Sequence, residues 1–329
     1  MIIYQMIEED LSEYGPMTVD VRWKDYSLLS IKTFGVAEDK CITDMYFRIG
    51  SVTKVYVATV ILYLYEKGNI NVKQTAYRYL SCIDEEWVTY LPKDITIEHL
   101  ATMTSGLYNY TEDEDFLKFI TDNPSYQFTP GELLSKYALR SDKKIKEKTF
   151  SYCNTNYLLL GLVASQVTGK TIEELYEKII FKPLSFNRTF VPKDCGIPTP
   201  RFEGFMYGYE DERDSNRELR NVTDTNTSWS GSAGNLISTL YEVGRFIKEC
   251  DNLLEERTKM YRDSLFRKVG DVEYGFGLMR KRDWVGHNGN ISGFQTFVMY
   301  SIKDDVTITL MTNASNKKPL NNLMKNILK

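Results

Sequence analysis

The chain has 329 residues, of which 26% are charged, and a formal net charge of −4 at pH 7. This length suits two domains or one large interleaved unit with a sizeable core. Because acidic and basic residues are interspersed, no basic face is available to attract a phosphate backbone, and we expect no nucleic acid partner.

Cysteine and histidine residues are too few and too scattered to suggest a metal site or a disulfide framework. The five cysteines, at positions 41, 82, 153, 195 and 250, contain no C-x-x-C pair. The two histidines are His99 and His287, too few for a multi-histidine site. We therefore expect no metal and no cofactor, and we interpret His99 as a structural residue.

No targeting signal is visible in the sequence. Residues 1–10 lack a cationic stretch followed by an apolar one, which a signal peptide would have. The longest apolar run, 55–65, is too short to span a bilayer. As written, the sequence predicts a cytoplasmic protein without a transmembrane segment; an extracytoplasmic location would require a leader trimmed from it.

The N-terminal part combines helix and strand patterns. Residues 2–14 predict a short amphipathic helix that ends at Gly15-Pro16. Alternating side chains over 17–23 and 27–34 predict two strands joined by a turn. The apolar run 55–65 predicts a buried helix.

The middle of the chain has helical patterns and long loops, and strand patterns return towards its end. Helices are predicted over 97–103, 116–120, 132–139, 157–167, 172–180 and 238–247, with a polar loop over 211–232. Strands are predicted over 274–281, 294–301 and 306–312, followed by an amphipathic helix over 320–328.

Strands at both ends with helices between them predict an α+β fold. In this fold one antiparallel sheet, flanked by helices, is built from both termini, and a mostly helical domain is inserted into it. The predicted boundaries place residues 1–71 and 233–329 in the sheet domain and residues 72–232 in the helical insertion.

The start of the 55–65 helix is the first candidate for chemistry. Ser51 and Lys54 are three residues apart, so on a helix they share a face and the lysine amine can reach the serine oxygen. A lysine whose pKa is lowered by burial can take the serine proton. The unpaired N–H groups at the helix start suit a developing oxyanion.

The Ser-x-x-Lys pattern alone is weak, because it occurs three times. The matches at Ser141 and Ser315 lie in charged, polar stretches that predict solvated loops. Only the match at Ser51 leads into a buried helix. The alternative for any such match is a helix start with an exposed lysine.

Two further motifs follow in the chain. Tyr152-Cys153-Asn154 is the only Tyr-x-Asn, and His287-Asn288-Gly289 is the only His-x-Gly. The order Ser-x-x-Lys, Tyr-x-Asn, His-x-Gly resembles the serine β-lactamase and penicillin-binding protein superfamily. The resemblance is to the branch of class C β-lactamases, D-alanyl carboxypeptidases, D-aminopeptidases and related esterases.

Secondary matches extend the resemblance over roughly residues 17 to 312. Residues 47–54 look like the family's Phe-Arg-Ile-Gly-Ser-x-[Ser/Thr]-Lys segment, and 232–238 resemble its Ser-x-Gly-Gly-Leu-x-Ser segment. Residues 95–107 are similar to its His-Thr-Ser-Gly-Leu helix and turn, with Met103 where histidine is common. Gly293-Phe294 follow the third motif at the usual distance.

The resemblance implies a mechanism. Ser51 would attack a carbonyl and form an acyl-enzyme, while Lys54 and Tyr152 shuttle the proton to the leaving group and later from water. Asn154 would orient Lys54 and the substrate amide. His287 would keep the site electropositive or hydrogen-bond the tyrosine oxygen.

The third motif would also help to form the oxyanion hole and to select the substrate. The oxyanion would lie between the backbone N–H groups of Ser51 and Asn290, the residue after Gly289. Relatives that recognise a carboxylate usually carry Ser or Thr where this chain has Asn288. A small-molecule or short-peptide substrate is expected, and an ester or small amide is as serious a candidate as a lactam or a D-Ala-D-Ala peptide.

Each motif residue also has a structural interpretation. Tyr152 could be a packed aromatic residue, Asn154 a helix N-cap and His287 a loop histidine. Cys153 is interpreted as a small buried apolar residue. The alternative function is a non-catalytic, penicillin-recognising binding or sensor module. An α/β-hydrolase is excluded because the chain has no Gly-x-Ser-x-Gly elbow.

Overall fold

The structure is a computed structural model that describes residues 17–23, 26–32, 42–207 and 219–315. The helices predicted over 2–14 and 320–328 lie outside these residues. The described strands, in chain order, are β1 (Met17–Trp23), β2 (Tyr26–Lys32), β3 (Phe47–Arg48), β4 (Phe205–Tyr207), β5 (Leu219–Asn221), β6 (Ile237–Ser238), β7 (Arg267–Val269), β8 (Val272–Tyr274), β9 (Met279–Lys281), β10 (Trp284–Ile291), β11 (Phe294–Ser301), β12 (Val306–Thr312) and β13 (Ala314–Ser315).

Eight of these strands form one antiparallel sheet that draws on both ends of the described chain. Its order is β2-β1-β12-β11-β10-β9-β8-β7, so the N-terminal hairpin β1–β2 pairs with the C-terminal strand β12. β11 and β12 are rich in β-branched and aromatic residues, which favour a pleated, buried surface. The predicted α+β fold with a sheet built from both ends is confirmed.

The helices lie mainly between β3 and β6. They are α1 (Thr53–Glu66), α2 (Ala76–Leu80), α3 (Ile97–Ala101), α4 (Glu114–Asp122), α5 (Pro130–Leu133), α6 (Asn154–Thr168), α7 (Ile172–Tyr176), α8 (Leu240–Glu249) and α9 (Glu256–Ser264). Wider π-helical turns, Leu134–Ala138 and Glu177–Phe181, extend α5 and α7. Short 3₁₀ turns cover Ile42–Asp44, Gly50–Val52, Glu86–Tyr90, Tyr110–Glu112, Ser228–Ala233 and Cys250–Leu253.

The seven helices predicted within the described residues, that over 55–65 included, are all present, with shifted ends. Their extents differ because cap residues, and not apolar periodicity, set the ends: Thr96 caps α3 and Asp113 caps α4. Among the described helices none is both long enough and apolar enough to cross a membrane. The boundaries of the inserted domain remain a prediction.

Two sequence predictions in the C-terminal half were wrong, and one strand was not predicted. The strand predicted over 274–281 is two strands, β8 and β9, because Gly277 between them has a left-handed backbone (φ +75°). The stretch 211–232, predicted as a loop, includes β5 and the turn Ser228–Ala233. The His-x-Gly motif lies inside β10, a strand whose pattern is obscured by two glycines.

Helix α1 runs through the centre of the fold. Eleven of its 14 residues are buried, and the chain packs around it from β10, α6 and α7. A fully buried aliphatic side chain contributes about 1.5–3 kcal/mol to stability, so this helix is among the most firmly fixed elements. Ser51 lies one turn before it, where the sheet meets the helical segment.

Candidate active site

Lys54 is the centre of the site. Its side chain is completely buried, and Nζ lies 2.9 Å from Ser51 Oγ, 2.8 Å from Asn154 Oδ1 and 2.7 Å from the Ala233 carbonyl oxygen. The lysine comes from α1, the asparagine from the start of α6 and the carbonyl from the turn Ser228–Ala233. Three separate segments therefore fix the position of one amine.

Burial lowers the pKa of Lys54 well below 10.5, and the neighbouring Cys153 opposes this only in part. No carboxylate is among the three groups that hold the amine. Amide and carbonyl oxygens only accept hydrogen bonds, so a neutral amine donates its two N–H groups to Asn154 and Ala233. The ammonium form donates its third N–H to Ser51 Oγ at 2.9 Å; in the neutral form the lone pair takes that position, as proton abstraction requires.

Two glycines bring β10 against the turn that carries Ser51. Gly50 has a left-handed backbone (φ +54°), and a Cβ there would lie 2.8 Å from the Asn290 nitrogen. A Cβ on Gly289 would lie 2.0 Å from the Ile49 oxygen and 3.1 Å from the Ser51 nitrogen. The backbone at Ser51 and the backbone at Asn290, which are expected to form the oxyanion hole, are thus in contact. Gly50 and Gly289 permit this contact because neither position has room for a Cβ.

Tyr152 covers the other side of the lysine. Its ring centroid lies 4.9 Å from Lys54 Nζ. Burial raises the pKa of the Tyr152 phenol, and a hydrogen-bonding interaction with Ser51 opposes part of that rise. The tyrosine is therefore protonated at neutral pH and suited to donate a proton. Burial lowers the pKa of Lys54 and raises that of Tyr152. The lysine is therefore suited to act as the base and the tyrosine as the acid.

Asn154 is the first residue of α6, and a small network holds it. Its side-chain amide donates to Thr111 Oγ1 at 2.9 Å, and its backbone N–H donates to Asn109 Oδ1 at 3.0 Å. Thr111 in turn donates to the same Asn109 oxygen at 3.0 Å. This network fixes which end of the Asn154 amide faces Lys54, so the oxygen accepts from the amine.

His287 is buried beside the site and is neutral. Burial lowers the pKa of His287 to about 3, and Lys54 in its protonated form acts in the same direction. Its nitrogens face Tyr274 Oη, at 3.3 Å, and the Asn288 carbonyl oxygen. The lowered pKa favours a neutral ring over the electropositive role that the resemblance implies, because low-dielectric surroundings disfavour the charged form. Its ring centroid lies 6.4 Å from that of Tyr152, and its two hydrogen bonds go to Tyr274 and Asn288 instead.

The structural interpretations of two other residues agree with the structure. Cys153 is buried, its thiol faces backbone oxygens of 107 and 108, and burial raises its pKa, as expected for an inert thiol. His99 forms a reciprocal capping box with Thr96 at the start of α3. In the third motif, Asn288 is half-buried and Asn290 is exposed.

Several supporting groups were not found from the sequence. The Ala233 carbonyl is a backbone group that no residue type signals, although its segment was recognised. Tyr274 packs against Tyr152 with ring centroids 6.4 Å apart and contacts His287. The nearby Gly-x-Gly at 275–277 was a usable signal, since glycines inside a predicted strand often mark a close backbone approach.

Metal-ligating side chains are not clustered in the part of the chain that the structure describes. Within 17–23, 26–32, 42–207 and 219–315, no three His, Cys, Asp or Glu side chains come close enough to hold an ion. The site instead contains a hydroxyl, a buried amine, a phenol and two backbone N–H groups in one place. These are the groups that acyl transfer through a serine needs.

The fold and this arrangement define the β-lactamase and penicillin-binding protein superfamily of serine hydrolases. The model of the Beta-lactamase family matches residues 23–326, and the chain belongs to this family.

Known proteins similar to the chain fall in the same superfamily. Penicillin-binding protein 4* of Bacillus subtilis is 24% identical over 82% of the chain, and the teichoic acid D-alanine hydrolase of Staphylococcus aureus is 26% identical over 86% of it. The chain spans 61% and 66% of the lengths of these relatives.

A solved structure agrees with the fold. A D-stereospecific amidohydrolase from Streptomyces sp. superposes with a TM-score of 0.83 at 24% identity, covering 98% of this chain and 96% of that one. At this level of identity the likeness concerns the fold alone.

Proposed function

We propose that the protein is a serine hydrolase that forms an acyl-enzyme at Ser51 with small ester or amide substrates. The observation that carries the proposal is the buried Lys54 amine, 2.9 Å from Ser51 Oγ and without a carboxylate among its hydrogen-bond partners. A buried lysine without a counter-charge destabilises the fold, so its presence beside a serine favours a catalytic role.

The steps follow from the positions of the groups. Ser51 Oγ attacks the substrate carbonyl carbon as its proton passes to Lys54 Nζ, and the oxyanion lies at the N–H groups of Ser51 and Asn290. The bond to the leaving group then breaks, and the leaving group takes a proton from the Tyr152 phenol, which recovers one from Lys54. Water then attacks the acyl carbon and gives a proton to Tyr152, which passes its own proton to Lys54. Lys54 protonates Ser51 Oγ as the bond between Oγ and the acyl carbon breaks, and the acid is released.

We infer that the acyl group is a D-amino acid, carried as an ester or a small amide. The names of two similar proteins, a teichoic acid D-alanine hydrolase and a D-stereospecific amidohydrolase, support this substrate class. Asn288 supports it as well, because an amide replaces the hydroxyl with which carboxylate-recognising relatives bind the end of a lactam or D-Ala-D-Ala peptide.

A hydrolysis panel tests the proposal. It contains D-alanine esters, D-amino amides, their L-enantiomers, short-chain nitrophenyl esters, nitrocefin and D-Ala-D-Ala peptides, each with wild-type protein and Ser51→Ala. We expect turnover of D-aminoacyl esters or amides that exceeds turnover of the L-forms and is lost in Ser51→Ala. Turnover of nitrocefin alone would refute the substrate class, and activity retained in Ser51→Ala would refute the mechanism.

A further inference from the structure

His287 has two nitrogens, and the protein assigns them different partners. Nδ1 faces the carbonyl oxygen of Asn288 within hydrogen-bond distance. A carbonyl oxygen only accepts, so Nδ1 carries the hydrogen. In a neutral imidazole the other nitrogen, Nε2, is then an acceptor.

Tyr274 supplies the donor that this acceptor needs. Its hydroxyl oxygen lies 3.3 Å from His287 Nε2, and its side chain is only 4% exposed. The ring is held in place by aromatic neighbours, with centroid distances of 5.4 Å to Phe150 and 6.4 Å to Tyr152. The tyrosine hydroxyl is therefore fixed against the histidine by packing as well as by the hydrogen bond.

The other titratable groups around this pair favour a neutral histidine. Lys54 lies on the side of α1, and whenever it is protonated its charge disfavours a second proton on His287. Tyr152 and Tyr157 face the pair from the start of α6, and Tyr157 donates its own hydroxyl proton to the Ala101 carbonyl at 3.0 Å. The Tyr157 oxygen also interacts with the Tyr274 hydroxyl, so it competes with His287 Nε2, 3.3 Å from that hydroxyl, for the Tyr274 proton.

We propose that Tyr274 is a positioning residue that locks His287 in the Nδ1–H tautomer and occupies Nε2, so that the histidine takes no part in proton transfer at Ser51. Proton transfer is then left to Lys54 and Tyr152. This role rests on the proposed hydrolase function, but the tautomer and its partner are properties of the folded protein and can be measured without a substrate.

The chain is well suited to this measurement, because it has two histidines. Nitrogen-15 imidazole spectra therefore contain two side-chain spin systems, and His99→Gln leaves only that of His287. For the wild type we expect the Nδ1–H tautomer, with a hydrogen-bonded Nε2 signal that does not move between pH 5 and pH 8. An Nε2–H tautomer or a titration in this range would overturn the proposal with wild-type protein alone.

Tyr274→Phe tests the partner. Removing the hydroxyl should move the Nε2 signal towards that of a nitrogen without a hydrogen bond and raise the pKa of His287, because the donor favoured the neutral ring. The matched control is Tyr110→Phe, which removes another buried hydroxyl, one that donates to the Trp229 carbonyl at 2.7 Å. The control should leave the His287 signals in place.

An unchanged Nε2 signal in Tyr274→Phe would overturn the assigned partner. If the hydrolysis panel finds a substrate, the same variant should also add an ionisation to the pH profile of kcat/KM. If no substrate is found, the nitrogen spectra still decide the tautomer, so failure of the proposed function and failure of this inference are distinguishable.

Discussion

The side-chain nitrogen of Lys54 lies 2.9 Å from the hydroxyl oxygen of Ser51, and no part of the lysine reaches solvent. The pair joins the end of a 3₁₀ turn to the first turn of the central helix. A buried amine in this position is poised to act as a base, because burial disfavours its charged form.

Lys54→Ala should abolish acylation and leave the fold intact. Loss of a general base lowers rates by about 10²–10⁴-fold. The stability effect should stay within a few kcal/mol, since two unpaired oxygens each cost about 1–3 kcal/mol, while removal of a buried amine offsets part of this loss. Acylation rates and circular dichroism of the purified variant measure the two effects.

The matched control is Lys67→Ala, which removes a half-exposed lysine at the other end of the same helix. It should acylate as the wild type does. Unchanged acylation kinetics in Lys54→Ala would refute the role assigned to this lysine.

The pH dependence of the rate should report the lowered pKa of Lys54. The base must be unprotonated, so kcat/KM should rise as pH rises through the pKa of Lys54 in the free enzyme. Because burial places that pKa well below 10.5, we expect the rise to be complete at pH values where an ordinary lysine is still charged. Titration of released acid in a pH-stat measures this profile, and a midpoint near 10.5 would contradict the expectation.

His287 should make the folded protein sensitive to acid. Its pKa is about 3 when folded and 6.5 as an ordinary histidine, so between these values the unfolded chain binds a proton that the folded chain does not. The free energy of unfolding should therefore fall as pH falls through this window, by an amount on the order of a few kcal/mol.

Urea unfolding at about pH 7 and about pH 4.5, on either side of the ordinary histidine pKa, measures this dependence. In His287→Gln the loss between the two pH values should be smaller than in the wild type, whereas His99→Gln should retain most of it. Equal losses in the wild type and in His287→Gln would show that another group causes the acid sensitivity.

Gly289→Ala should separate the two backbones that meet at the nucleophile. The added Cβ would collide with the Ile49 oxygen and press on the Ser51 nitrogen, so β10 must move away. Loss of one oxyanion donor costs about 10²–10³-fold in kcat. Steady-state kinetics with the best substrate of the panel measures the effect.

Gly270→Ala provides the comparison. Gly270 lies in the turn between β7 and β8, with a left-handed backbone (φ +60°) and open space where a Cβ would lie. Its substitution should cost about 1 kcal/mol of stability and no activity. Wild-type kinetics in Gly289→Ala would argue against an oxyanion hole at this contact.

The sequence predicted the fold class and the motif residues because both depend on local patterns. Alternation marked β1, β-rich composition marked β11 and β12, and three motifs in a fixed order marked Ser51, Tyr152 and His287. The structure brings these motif residues together around Lys54, as the resemblance implied.

The remaining features depend on contacts that no local pattern reports. The partner of Lys54 on the turn Ser228–Ala233 is a backbone oxygen, and β10 was hidden by its own glycines. The neutral state of His287 follows from burial and from Lys54, which approaches it from a different segment. Residue types therefore predicted which groups meet and the lowered pKa of Lys54, but not the protonation state of His287.

Intact-mass spectrometry with a fluorophosphonate probe tests the central claim most directly. We expect the wild type to gain the mass of one adduct, which peptide mapping places on Ser51, and Ser51→Ala to gain none. Absence of any adduct on wild-type protein with this probe and with substrate-like D-aminoacyl esters would contradict an acyl-enzyme at Ser51, as would an adduct on another residue.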